Sequence, residues 1–183
     1  MVFLVVGIIA LVVVVGFVIV TYNELVRLRN AVKNSFAQID TQLQRRFDMI
    51  PNLVETVKGY ASHEKELLEN VTASRSGYMS AGSNQEKLAM GNQLTSELRT
   101  LFAVTENYPE LKANINFMKL QEELSETEEK VAYSRQFYND AVTIYNNKLQ
   151  MFPSNLVAGM FSFDEEALFD AEIDANKAPK VTF

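Results

Sequence analysis

The chain contains no cysteine and no tryptophan, and it has a single histidine among 183 residues. Without cysteine it has no disulfide scaffold, no thiolate-ligated zinc or iron–sulfur site and no thiol nucleophile of its own. Glycine and proline are also scarce, at 7 and 4 residues, which is typical of a chain with few turns. These shortages favour long regular elements over a loop-rich fold.

The single histidine begins, but does not complete, a zinc-binding pattern. His63-Glu64 resembles the start of His-Glu-x-x-His, but the fourth residue after His63 is Leu67. The chain also lacks a Gly-rich phosphate loop, a nucleophile elbow and a kinase signature. We therefore expect His63 to be a structural or surface residue, and we predict that the protein is not an enzyme and uses no metal or cofactor.

Charge is distributed unevenly along the chain. Residues 21–58 carry six Lys or Arg against four Asp or Glu, whereas the residues after them carry eleven against nineteen. This acidic remainder argues against nucleic acid as a partner, because nucleic acid requires a broad basic surface. The densest acidic run is Glu122, Glu123, Glu126, Glu128 and Glu129. We interpret it as a solvated helix face paired with Lys119 and Lys130, with a cation or a basic partner as the alternative.

The longest apolar stretch runs from Val2 to Val20, nineteen residues without a charge. As a helix it is about 28 Å long, close to the hydrocarbon thickness of a bilayer. It has no polar face, as a buried core helix would have, and no basic start or small-residue cleavage site, as a signal peptide would have. We predict a retained single-pass transmembrane segment over residues 1–21.

Basic residues follow this segment at Arg27, Arg29 and Lys33. By the positive-inside rule they place the following domain in the cytoplasm, and they are candidates for contact with lipid headgroups. Arg45 and Arg46 are weaker candidates, since they lie about 38 Å along a helix from the end of the apolar segment, and ion pairing with the acidic bundle is the alternative for them.

Apolar residues at spacings of three and four predict an all-α fold, an antiparallel up-down bundle of about four long helices over residues 22–152. The predicted helices cover about residues 22–47, 49–76, 85–105 and 115–152, with Asp48 as the cap of the second helix and Pro51 in its first turn. We expect a break and restart at Asp48–Pro51, with a kinked but continuing helix as the alternative. Ser76–Asn84 is the clearest predicted loop.

Residues 153–183 form an apolar tail, which either packs on the bundle or docks on a neighbour. Aromatic residues of this tail and of the fourth helix are candidate oligomer or partner contacts: Tyr138, Tyr145, Phe161, Phe163 and Phe169. Tyr138-Asn139 and Tyr145-Asn146 repeat seven residues apart on one face of the fourth helix. We expect them to hydrogen-bond to an adjacent helix and fix its register, with a ligand groove as the alternative.

Three segments carry a resemblance to a known family. RRFDMIPNLVETVKGY at residues 45–60, RQFYNDAV at 135–142 and FPSNLVAG at 152–159 resemble the LemA family. The resemblance implies a bacterial protein of the cytoplasmic (inner) membrane, with one N-terminal transmembrane helix and a helical bundle. It implies no catalytic residues. A relative associated with magnetosome membranes suggests a role in membrane organisation.

Together these observations favour a membrane-anchored scaffold that forms homo-oligomers and organises or remodels membrane. The alternative is a membrane-bound adaptor, which recruits a protein partner such as a protease or a sensor through its acidic bundle or its Phe-rich tail.

Overall fold

A computed structural model describes residues 1–169 of the chain, and these residues form six α-helices and no strand. The helices are α1 (Val2–Lys58), α2 (Lys65–Ser80), α3 (Asn84–Thr105), α4 (Pro109–Lys112), α5 (Ile115–Gln150) and α6 (Ser154–Met160). The predicted all-α class is therefore confirmed. The antiparallel up-down arrangement stays a prediction, and Val181 and Phe183 of the predicted tail lie outside the described residues.

The described residues group into two compact units, and α1 and α5 each contribute to both. The first unit contains Met1–Ala37 and residues 134–169, and the second contains Gln38–Tyr133. The core of the first unit consists of Leu25, Val32, Phe36, Val142, Tyr145, Leu149 and Val157. The core of the second unit includes Leu43, Phe47, Leu53, Leu94, Leu101, Phe117 and Leu124.

Among residues 1–169, no other part of the chain covers the apolar segment at the start of α1. Residues 2–20 are exposed except for Val18, which is half-buried, whereas Thr21 and Leu25 are buried in the first unit. Burial of so many apolar side chains in lipid would be favourable, and a helix satisfies its own backbone hydrogen bonds there. The segment fits a membrane anchor by length and composition.

The predicted break at Asp48–Pro51 is wrong, because α1 continues through Pro51 to Lys58. Proline lacks the N–H that would bond to the carbonyl of Phe47, four residues earlier. In the structure the Arg75 Nε–H donates to the Phe47 carbonyl oxygen at 3.2 Å. A side chain from α2 thus satisfies the acceptor that Pro51 leaves open. The break between the first two helices lies instead at residues 59–64, after α1 ends at Lys58.

The predicted loop at Ser76–Asn84 is too long, since α2 extends to Ser80 and α3 begins at Asn84. The Ser76 and Ser80 hydroxyls donate to the carbonyls of Thr72 and Ser76 within the helix. Ser83 caps α3 by accepting the N–H of Glu86 at 3.2 Å. Only residues 81–83 therefore connect the two helices.

Gly77 permits a close approach between α2 and α3 in the second unit. A Cβ atom at this position would lie 2.5 Å from the sulfur of Met90.

Tyr78 of α2 packs on an aromatic residue of α1: its ring stacks on Phe47 with centroids 4.3 Å apart. The Tyr78 hydroxyl donates to an Asp40 carboxylate oxygen at 2.7 Å, and burial, followed by this bond, raises the pKa of Tyr78.

The role of Arg75 predicts an energetic coupling to Pro51. Arg75→Met should lower the free energy of unfolding by about 1–3 kcal/mol, because the Phe47 carbonyl loses its donor. In a Pro51→Ala background the same change should cost less, since the Ala N–H restores the helical bond. Urea unfolding of the full chain in detergent, followed by circular dichroism, measures both losses.

Arg99→Met is the matched control, because Arg99 is exposed on α3 and its loss should change stability little. Equal losses for Arg75→Met in the two backgrounds would contradict this account of how the helix passes Pro51.

Candidate functional site

The segment after α6 runs along α5 in the first unit without forming a helix or strand. Its backbone groups therefore need other partners, and four side chains of α5 provide them: Tyr138, Asn139, Tyr145 and Asn146. We call these four residues together with residues 164–169 the clasp.

Each asparagine of the clasp binds one tail residue through both of its backbone groups. The Asn146 amide donates to the Glu166 carbonyl at 2.8 Å and accepts the Glu166 N–H at 3.0 Å. Asn139 does the same with Phe169, donating at 3.0 Å and accepting at 2.7 Å. An asparagine amide has both a donor and an acceptor. Each side chain therefore makes the same pair of backbone hydrogen bonds that a residue of a neighbouring β-strand would make.

The spacing of the two asparagines matches the spacing of the tail residues. Seven residues of helix advance about 10.5 Å, and three residues of extended chain advance about 10 Å. Asn139 and Asn146 can therefore hold Phe169 and Glu166 at the same time. Because these bonds reach only the backbone, they fix the register of the tail without requiring particular tail side chains.

The tyrosines of the clasp add two further bonds. The Tyr138 and Tyr145 hydroxyls donate to the carbonyls of Ala167 and Asp164, each at 3.0 Å. Burial, as the largest cause, raises the pKa of both phenols above the usual value, so they remain donors well above neutral pH. The partner of the Tyr–Asn pairs is thus the tail rather than the adjacent helix that the sequence predicted.

The structure places the candidate contact residues unequally. Tyr138 and Tyr145 are only 8% and 1% exposed, and they bond within the chain. Phe169 is buried beneath the guanidinium of Arg135, 4.2 Å from the ring centroid. Phe161 is 48% exposed, while Phe163 is half-buried. The described contacts of all five are within the first unit, and a contact with another subunit stays a prediction.

The basic residues after the apolar segment also differ in exposure. Arg27 and Lys33 are exposed, whereas Arg29 is half-buried with its guanidinium 5.1 Å from the Phe163 ring centroid. A cation over an aromatic face is a favourable contact, so Arg29 has a structural use in addition to its predicted lipid contact. The headgroup contacts of all three residues stay predictions.

The second unit uses Arg46 for packing rather than leaving it at the surface. Arg46 is 2% exposed, forms an ion pair with Glu128 and donates to the Thr95 hydroxyl at 2.9 Å. Glu128 is itself 37% exposed, and it pairs with Arg46 rather than with the predicted Lys119 or Lys130. Glu126 does follow the predicted pairing, since it pairs with Lys130 at 2.8 Å on the surface.

The second unit also contains an open groove of about 680 Å³. Apolar Val54 and Leu68 line it together with Lys58, Lys65 and Glu69. The hydroxyl of Thr72 on its wall is already bonded to the Leu68 carbonyl within α2.

Within residues 1–169 no group of three or more His, Asp or Glu side chains is placed to hold a metal ion. The histidine, His63, is exposed in the connection before α2.

We expect the two asparagines of the clasp to hold residues 164–169 against α5 and to protect their backbone amides from exchange. Replacing both Asn139 and Asn146 by Ala should speed amide exchange at Glu166 and Phe169 by about tenfold or more, because each amide loses its acceptor. Hydrogen–deuterium exchange of the full chain, read on the peptide that covers residues 163–169, measures the change. Asn147→Ala on the exposed side of α5 is the control, and unchanged exchange in the double variant would contradict the role of the clasp.

Comparison with known proteins places the chain in a family. The sequence model of the LemA family matches residues 35–183. The chain is 27% identical to Protein LemA of Metamycoplasma hominis over 150 residues, which covers 81% of this chain and 68% of that protein. It is 22% identical to two magnetosome proteins of Paramagnetospirillum magneticum, MamQ 1 and MamQ 2, covering 98% of this chain and 75% of each relative. On the family match over most of its length, the chain belongs to the LemA family.

Proposed function

We propose that this protein is a membrane-anchored helical scaffold that self-associates and thereby organises membrane, without catalytic activity. The exposed apolar start of α1 supports attachment to a bilayer. The relatives named magnetosome proteins support a role at a cellular membrane structure. The observation that carries self-association is a row of exposed apolar residues along α5 and at the residue that follows it.

This row consists of Phe137 and Ile144 on α5 and of Met151 directly after the helix, and we call these three residues the α5 stripe. Its members are 63%, 57% and 61% exposed. They are spaced by seven residues, so they lie on one side of the helix and drift only about 20° per heptad. Apolar residues at this spacing suit packing against a second helix at a small crossing angle. A second copy of the chain supplies such a helix, and a symmetric dimer would bring the two stripes together.

The proposal predicts that charge on the α5 stripe disrupts assembly. Copies labelled with donor or acceptor dyes at an introduced Ser80→Cys should show energy transfer in vesicles. Phe137→Glu with Ile144→Glu should abolish this transfer, because carboxylates would be buried against apolar surface. Gln136→Glu, next to the stripe and also exposed, is the control. Transfer that persists in the double variant would exclude the stripe as the contact.

We also propose that the soluble part faces the cytoplasm of a bacterium, on the basis of the basic residues that follow the apolar segment. Because the chain has no native cysteine, single introduced cysteines report sidedness cleanly. A membrane-impermeant maleimide should label Ser80→Cys only after lysis of spheroplasts, and it should label Val2→Cys in intact spheroplasts. The reverse pattern would overturn this orientation.

The adaptor remains a second candidate function, and the exposed acidic residues of α5 favour it. Glu122, Glu123 and Glu129 are exposed in the second unit, where they offer a negative surface to a basic partner. In an adaptor, replacing these three residues by Gln would remove a bound partner and leave assembly intact. In a scaffold, the same change would leave both assembly and membrane organisation unaltered.

A further inference from the structure

A second apolar surface lies beside the membrane segment, formed by residues around α6. Phe152, Leu156, Met160 and Phe161 are 80%, 58%, 71% and 48% exposed, and we call these four residues the apolar turn. The opposite face of α6 is packed inward, since Ser154, Val157 and Ala158 are buried. The short helix is therefore fixed in the first unit by one face and presents an apolar face outward.

The apolar turn is held next to the point where α1 leaves its exposed apolar segment. The Phe161 ring centroid is 4.7 Å from that of Tyr22, and the Phe163 ring centroid is 5.7 Å from it. Tyr22 lies only two residues, about 3 Å of helix, beyond Val20. An ion pair between Lys148 and Glu24 at 2.8 Å ties the end of α5 to the same turn of α1.

The chemistry of this region also fits lipid better than water. The fifteen residues from Leu149 to Phe163 contain no charged side chain, so none would have to be desolvated. The headgroup layer on each side of a bilayer is about 5–8 Å thick, and interfacial segments bury their apolar faces about 5–10 Å deep. The Phe161 end of the apolar turn, whose ring contacts Tyr22 just beyond the span, is therefore within reach of that layer.

We infer that the apolar turn inserts into the interfacial layer of the bilayer that α1 spans, on the side where α1 emerges. Leu156 and Met160, four residues apart on one face of α6, contact acyl chains, while Phe152 and Phe161 lie at headgroup level. This inference rests on the membrane attachment in the proposed function. The chain then contacts the membrane twice, and the first unit has a fixed tilt and depth on the bilayer surface.

Depth measurements on single spin labels test this inference. Cysteine variants of the full chain at Leu156, Met160, Val12 and Gln136 are labelled and reconstituted into vesicles of phosphatidylcholine and phosphatidylglycerol. All four positions are exposed, so labels there do not disturb the core. Collision with oxygen reports the hydrocarbon side of the bilayer, and collision with a water-soluble nickel chelate reports the aqueous side.

The inference predicts a higher ratio of oxygen to nickel collisions at Leu156 and Met160 than at Gln136, approaching the ratio at Val12. Gln136 is the aqueous control, because it lies about 22 Å along α5 from Met151. Water-like values at Leu156 and Met160 with a bilayer value at Val12 would overturn the inference and leave the anchor intact. Exclusion of both reagents at Leu156 and Met160 would also overturn it, since protein would then cover the turn. A water-like value at Val12 would overturn the anchor and the inference together.

Discussion

The structure depends on one constraint: every backbone N–H and C=O group of α1 needs a hydrogen-bond partner. This helix begins as an exposed apolar segment and then contributes to both packed units. Within the apolar segment the helix is its own partner, and no other fold of a single segment would satisfy lipid. At Pro51 the helix cannot be its own partner. There Arg75 donates to Phe47 and replaces the missing bond.

The same constraint explains the clasp. Residues 164–169 belong to no helix or strand, so their backbone groups cannot bond to a regular neighbour. Asn139 and Asn146 take the place of a neighbouring strand at Phe169 and Glu166. A helix face thus fixes an extended segment, and in the first unit this segment returns the chain from α6, beside Tyr22, along α5. In the sequence, this arrangement corresponds to the two Tyr–Asn pairs that lie seven residues apart.

Sequence patterns predict those helices whose stabilising interactions are between residues close together in the sequence. The helices over α3 and α5 follow from apolar spacings of three and four, and the charge-free start of α1 follows from composition. Pro51 predicts a break on local grounds, whereas the donor that compensates for its missing N–H is Arg75, on another helix. Ion pairing of Arg46 with the acidic bundle is an alternative that the sequence offers, but its partners Thr95 and Glu128 are distant in sequence and are identified only by the structure. The Tyr–Asn pairs were recognised as polar specifiers, but only the three-dimensional path of the tail identifies what they bind.

The central claim is that this LemA-family chain works as an assembly in the membrane. The most direct test is the mass of the full-length protein extracted together with its native lipid, determined on single particles over a range of protein concentration. Self-association predicts two or more copies of the chain in each lipid particle at every protein concentration. A single copy per particle at every concentration would contradict self-association and shift the function to an adaptor that acts alone.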